Sequence, residues 1–345
     1  MSLPAAGLRL PRFRVLLPRT RLAYVHLRNL FTDAKRDRKA RVFGYVCVWL
    51  PDDFLLFYLQ EGEVVNVTAS PDGQRFRPMA IADAVAMVPR EAEYGEVCFH
   101  EADDEQLAMM FWTQSGDAAP WPPDVKGDDA DAVLRFMRAT MHDGVLEVIS
   151  DESRSYAVVR AGEVVRGYFS DDVFGAPEAQ LRASLSQPGR WVRVRLWPVP
   201  AALPVQAAPA LIRAYRELII GIVRRLRTSG VGGAAEIAET ARRNLVHKHP
   251  ALDRFGVDPD PLPAAVNVTS TLSFGRAPAS ATRDPICDAA SLSAAIGAWI
   301  AELLWTAPPG DGTPSERFLE DVLRERRHMY QVAGLLDSLP WRLFV

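Results

Sequence analysis

The chain has 345 residues, 48% of them hydrophobic and 24% charged, with a formal net charge of −3, which allows two or three domains and a sizeable core. Cys47, Cys98 and Cys287 lie far apart and make no CxxC pair, which excludes a disulfide framework and points to a reducing compartment. Arg9, Arg12 and Arg14 with two nearby prolines interrupt any secretory apolar stretch, and the longest helix-like apolar run, 294–305 with Glu302 inside it, is too short for a bilayer of about 30 Å. The expected location is cytoplasmic, or peripheral on the cytoplasmic face of the inner membrane.

Residues 1–20 read as an extended basic arm, because Pro4, Pro11 and Pro18 exclude a continuous helix. Between 22 and 39 the apolar positions Leu22, Val25, Leu27, Leu30 and Phe31 predict an amphipathic helix with a basic far end. Three strands follow at 44–50, 54–60 and 64–70, then a helix at 79–88 and a closing strand at 95–100. The turn at Glu61 and Gly62 puts glycine where a hairpin needs positive φ. A second module repeats this order: helix 130–141, strands 145–150, 155–160 and 164–169, helix 177–185 and strand 191–197. After a proline-rich linker at 198–204 the period becomes helical over 211–227, 234–245, 291–305 and 315–336, leaving 247–288 without an assignment. The expected fold class is α+β, with two small antiparallel-sheet modules carrying flanking helices, followed by an all-helical C-terminal domain. The corresponding boundaries are an arm at 1–20, module one with its linker at 21–127, module two at 128–200 and the helical domain at 207–345.

The two modules echo each other about a hundred residues apart: GYVCVW from Gly44 with EGEVV from Glu61, and GVLEVI from Gly144 with AGEVV from Ala161. Turns and apolar strands recur, whereas no nucleophile, metal ligand or phosphate loop recurs with them. The glycines opening each meander and the "dGevv" turn resemble the PATAN-type domain of bacterial signalling proteins over 21–110 and 128–198. Gly144, Val145 and Leu146 fit that family's "tGvL" strand better than Gly44, Tyr45 and Val46 do, and no receiver or kinase domain adjoins either copy. The resemblance implies a non-catalytic, protein-binding role and carries over no catalytic residue.

Candidate chemistry is sparse. His247 and His249 form the single close histidine pair without a third ligand nearby, and zinc takes three or four. Cys98 and His100 share a face of the closing strand, a conceivable thiol–imidazole pair that nothing orients. The glycine-rich segment 229–233 lacks the lysine of a P-loop and follows a helix, so it reads as an interhelix turn. No metal, cofactor or small-molecule substrate is expected.

Charge and aromatics are more informative. From residue 1 to 45 eleven bases face Asp33 and Asp37, a local charge of +9 that leaves −12 for the remainder. Arg9, Arg12, Arg14, Arg19 and Arg21 are therefore candidates to meet an acidic partner, anionic lipid or this protein's own acidic face. Overall acidity and the lack of a stacking platform in the arm argue against nucleic acid. Trp191, Arg193, Arg195 and Trp197 alternate onto one strand face and are residue types enriched in binding hot spots; Trp121, in the inter-module linker, is a further candidate. The expected function is a non-enzymatic scaffold, an accessory subunit docked by protein–protein contacts on a larger bacterial assembly. Its place would be the cytoplasmic face of a membrane complex such as a respiratory or photosynthetic one. A freestanding signalling adaptor binding response regulators or small GTPases is the alternative, and a cysteine-dependent enzyme the third reading.

Overall fold

A computed structural model describes residues 5–36, 42–88, 94–116, 118–150, 153–171, 175–186, 191–255 and 288–341. The chain divides into two compact units, Met1–Pro204 and Val205–Val345. The fold class is α+β: two antiparallel sheets with flanking helices, then a helical region.

The first unit holds both repeats. Its larger sheet is built from β1 (Arg14–Arg21), β2 (Gly44–Trp49), β3 (Phe54–Gln60), β4 (Glu63–Ser70), β5 (Arg77–Pro78) and β6 (Glu96–Glu101), in the order β1-β6-β2-β3-β4-β5. The smaller sheet contains β7 (Gly144–Ser150), β8 (Arg154–Arg160), β9 (Glu163–Tyr168) and β10 (Val192–Trp197), in the order β10-β7-β8-β9. The run β6-β2-β3-β4 thus has the same topology as β10-β7-β8-β9. Helices α1 (Leu27–Arg36) and α2 (Ile81–Met87) belong to the first repeat, α4 (Ala130–Ala139) and α5 (Pro177–Leu185) to the second.

The repeat persists down to single backbone features. Both meanders carry a register shift at the same place, between Tyr58 and Leu59 and between Val158 and Val159. Both hairpins turn through two positive-φ residues, Glu61 (50°) and Gly62 (80°), then Ala161 (47°) and Gly162 (78°), the backbone of a type I′ turn. Gly62 N–H donates to Val42 O at 2.8 Å and Gly162 N–H to His142 O at 2.9 Å. The opening glycines have a common cause as well: a Cβ at Gly44 would lie 2.3 Å from His100 O on the closing strand, and one at Gly144 2.1 Å from Trp197 O.

The central strands of each sheet are buried on both faces. Val46, Val48, Leu55, Phe57 and Phe99 pack under α1 and α2 on the outer side of the first sheet. Leu146, Val148, Ala157, Val159, Val194 and Leu196 pack under α4 and α5 on the outer side of the second. The inner faces share one core: Tyr45, Cys47, Trp49, Leu56 and Tyr58 from the first sheet meet Val145, Tyr156, Val158, Tyr168 and Trp197 from the second. Helix α3 (Asp104–Ser115) contributes Leu107, Met109, Met110 and Phe111 to that shared core. The expected linker is therefore partly a helix, capped by the Asp103 carboxylate on the Gln106 N–H at 2.7 Å. Being covered almost all round, it shows no polar stripe.

The expected basic arm is extended but not separate from the fold. Its second half is β1, an edge strand paired with β6 through two register shifts, and Pro18 in mid-strand suits an edge. Leu10 is buried in the shared core, and Pro11 O accepts from Tyr45 Oη at 2.7 Å.

The second unit packs α6 (Pro209–Thr228), α7 (Ala234–Leu245), α8 (Ala289–Thr306), α9 (Ser315–Leu323) and α10 (Arg327–Val332) around Trp299, whose Nε1 donates to Ala238 O at 2.8 Å. Tyr215 stacks on Tyr330 at 5.9 Å and shares a hydrogen bond with Ser293 Oγ at 2.6 Å. The single helix expected over 315–336 is broken by a 3₁₀ turn at Arg324–Arg326 and ended at Gly334, whose φ is 76°. Helix α8 has 18 residues, longer than expected; by length and composition alone it could cross a membrane, yet 56% of it is buried in this core. The unassigned stretch 247–288 is described up to Phe255 and again from Asp288, and the rest lies outside the described residues.

Replacing Gly44 or Gly144 by alanine forces the closing strand away and is expected to lower unfolding free energy by about 1–3 kcal/mol each. Gly221→Ala, in α6 with its nearest neighbour at 3.8 Å, is expected to raise it by about 0.5–1 kcal/mol. Urea unfolding of the three variants checks both.

Candidate functional site

At least three of the five candidate bases of the arm meet acids among the described residues of the same chain. Arg9 Nη1 meets Asp171 Oδ1 at 2.6 Å, Arg14 Nε meets Glu101 Oε2 at 2.8 Å, and Arg19 pairs with Glu96 while its guanidinium lies 4.2 Å above the Trp49 ring. Arg12 and Arg21 are exposed. These partners realise the self-neutralising alternative left open by the sequence.

Trp121 is half-buried against the second module, its Nε1 donating to Val125 O at 2.7 Å and its ring edge-on to Phe136 at 5.7 Å. The residues of the last strand do alternate, but burial grades along them. Trp191 is 53% exposed, Arg193 exposed, Arg195 half-buried and Trp197 only 5% exposed. The shared core covers the Trp197 end, so this indole offers no surface to a partner.

What holds that end is a pair of charges the sequence reading missed. Glu147, 0% exposed, sits in mid-β7. Its Oε1 accepts from Arg154 Nη1 at 3.1 Å and its Oε2 from Trp197 Nε1 at 3.0 Å. Arg154 Nη2 reaches across to Gln74 O at 2.9 Å and Gly73 O at 3.3 Å, and its guanidinium faces the Phe76 ring at 5.0 Å. One side chain of the second repeat thus clamps a loop of the first. Burial pushes the Glu147 carboxyl above the usual carboxylate range, against the pull of Arg154, Arg195 and the Trp197 N–H. A lone glutamate inside the apolar run GVLEVIS was the available signal, since buried charge demands a partner.

Arg195 lies directly opposite Glu147, and Arg193 opposite Ile149, in the β10–β7 register. Burial lowers the Arg195 pKa; Glu147 opposes this, and the neighbouring charges of Arg193 and Arg154 reinforce it. Both Glu147 oxygens are occupied by other donors, and no carboxylate among the described residues bonds to Arg193 or Arg195. The edge of β10 is in part covered: Ala119 N–H donates to Leu196 O at 2.8 Å. The side-chain face is therefore the accessible feature of this strand, more than its backbone.

A cleft of about 370 Å³ is walled by Ala108 and Met109 of α3, Val145 and Val158 of the second sheet, and the segment 199–203, with Asp104 and Arg160 at the lining and no residue of β10. Trp112 Nε1 ties that segment down through Ala201 O at 2.9 Å, and Asn66 Nδ2 through Pro204 O at 2.8 Å.

Cys98 and His100 do meet, Sγ to Nε2 at 3.1 Å, and Cys98 faces Cys47 across β2 and β6. The Cys47 thiol and the imidazole both favour the Cys98 thiolate and bring its pKa down to about 6, while burial pushes Cys47 well up. Both sulfurs are buried in the shared core, and the cleft lining includes neither. His247 and His249 lie after α7, and among the described residues no group of three or more His, Cys, Asp or Glu is placed to hold a metal ion. The segment 229–233 is the turn between α6 and α7, with Gly233 at φ 67°.

No family model, no curated protein and no solved structure matches the chain.

Removing one member of the buried pair leaves an uncompensated charge. Arg154→Ala is expected to cost about 3–5 kcal/mol of unfolding free energy, and the double change Glu147→Leu with Arg154→Met to recover most of it. Urea denaturation of both variants measures the difference.

Proposed function

We propose that this chain is a non-enzymatic scaffold, an accessory subunit that docks by protein–protein contacts on a larger bacterial assembly, at the cytoplasmic face of a membrane complex. What supports a docking role is the placement of Trp191, Arg193 and Arg195 on one face of an edge strand whose opposite face, Val192, Val194 and Leu196, packs under helices. An exposed indole and two guanidinium groups are residue types enriched in binding hot spots, and a strand that carries them needs little backbone ordering on association. The arm contributes to the fold first, because Arg9, Arg14 and Arg19 already hold acids of the same chain.

The repeated order of helix, meander, helix and strand favours a second reading, a signalling adaptor of the kind a PATAN-like module implies. The two are separated by affinity purification of the tagged chain from its native cells after gentle membrane solubilisation. Stoichiometric recovery with integral-membrane subunits, falling at least about tenfold for Trp191→Ala, is the expected result. Substoichiometric receivers, kinases or GTPases would favour the adaptor instead. Recovery that Trp191→Ala leaves untouched would remove this face from the account.

A further inference from the structure

We infer that the face carrying Trp191, Arg193 and Arg195 recognises an acidic segment of a partner protein, with carboxylates at alternate positions of an extended chain taken by the two guanidinium groups. This rests on the docking role proposed above and names the chemistry of the partner at that site.

The argument starts from a local imbalance of charge. Arg154 and Arg195 flank one carboxylate, Glu147, whose two oxygens are filled by Arg154 and by the Trp197 indole, and Arg193 adds a like charge beside Arg195. Arg195 sits across the strands from Glu147 without a bond to it, half-buried, with five N–H donors and no carboxylate among the described residues to receive them. The contrast with the arm is direct: there Arg9, Arg14 and Arg19 each found an acid in the same chain. Burial and the like charges of its neighbours already disfavour the Arg195 cation, and the attraction of an incoming anion opposes both effects.

Geometry selects the shape of that anion. Arg193 and Arg195 are two residues apart on β10, so their side chains leave the same face about 7 Å apart. Alternate side chains of an extended peptide have the same spacing, and a guanidinium takes a carboxylate through two parallel hydrogen bonds. Trp191 continues the row at its exposed end and supplies an apolar, aromatic flank. Two forks at alternate positions of a strand beside an indole suit a defined chain of carboxylates better than a lipid surface, which responds to the number of bases near it.

The test uses the full-length chain and fluorescence anisotropy with three probes. They are a labelled decapeptide with glutamate at alternate positions, its glutamine counterpart, and phosphatidylserine–phosphatidylcholine vesicles. The glutamate peptide is expected to bind, to weaken as salt rises through the physiological range, and to bind roughly tenfold more weakly to Arg193→Glu and to Arg195→Ala. Arg193 is fully on the surface, so Arg193→Glu keeps the test open if Arg195→Ala disturbs folding. Equal binding of the glutamine peptide, no binding of the glutamate peptide, or arginine-dependent binding of vesicles alone would each overturn the inference. If the peptide fails while Trp191→Ala still abolishes stoichiometric partner recovery, the docking role stands and the acidic partner falls.

Discussion

The first unit depends on the apolar layer between its two sheets. Each repeat alone could cover one sheet face with its own pair of helices; the other face, Tyr45, Leu56 and Tyr58 in one copy and Val145, Tyr156 and Val158 in the other, would be left in water. Setting the copies face to face removes both apolar surfaces at once, which is the dominant favourable term in folding. Helix α3 fills the same layer, and the Arg154 clamp on Gly73 and Gln74 fixes the copies against each other. A guanidinium buried there is tolerated because Glu147 and two carbonyls satisfy it.

That arrangement explains why the strands were legible and some of the rest was not. Strands buried on both faces read as nearly continuous apolar runs, and the sequences of β2 and β3 show this plainly; the ends of β3 at Phe54 and Gln60 were read correctly because Asp53 and Glu61 bracket them. The hairpin glycines, Gly62 and Gly162, gave both the turns and the repeat. Helix α3 escaped because burial on nearly every side erased its polar stripe, although Asp103, Asp104 and Glu105 carried an N-terminal signature. Strand β1 escaped because Pro18 and two register shifts make it an irregular edge. For the candidate site, alternation put Trp191, Arg193, Arg195 and Trp197 on one face, yet alternation carries no information about what lies above that face. The core covers Trp197 and leaves Trp191 open.

The functional consequence is a division of labour among arginines. Those of the arm close the fold by meeting Asp171, Glu101 and Glu96, exposed pairs individually worth about 0–1 kcal/mol. Arg154 joins the repeats from within. Arg193 and Arg195 remain on a stiff surface with donors to offer. The inner faces of the two copies cover each other only in part, and at the far end of β10 they leave an exposed indole, the exposed Arg193 and the half-buried Arg195 on the same side as the buried Trp197.

Native-state hydrogen exchange on the intact chain tests the fused-pair account most directly. If the two sheets share one core, the slowest amides of β2 and β3 and those of β7 and β8 open with the same free energy and fall together in Arg154→Ala. Loss of protection in β7–β10 while β2, β3 and β6 stay protected would show two independent modules and contradict the account.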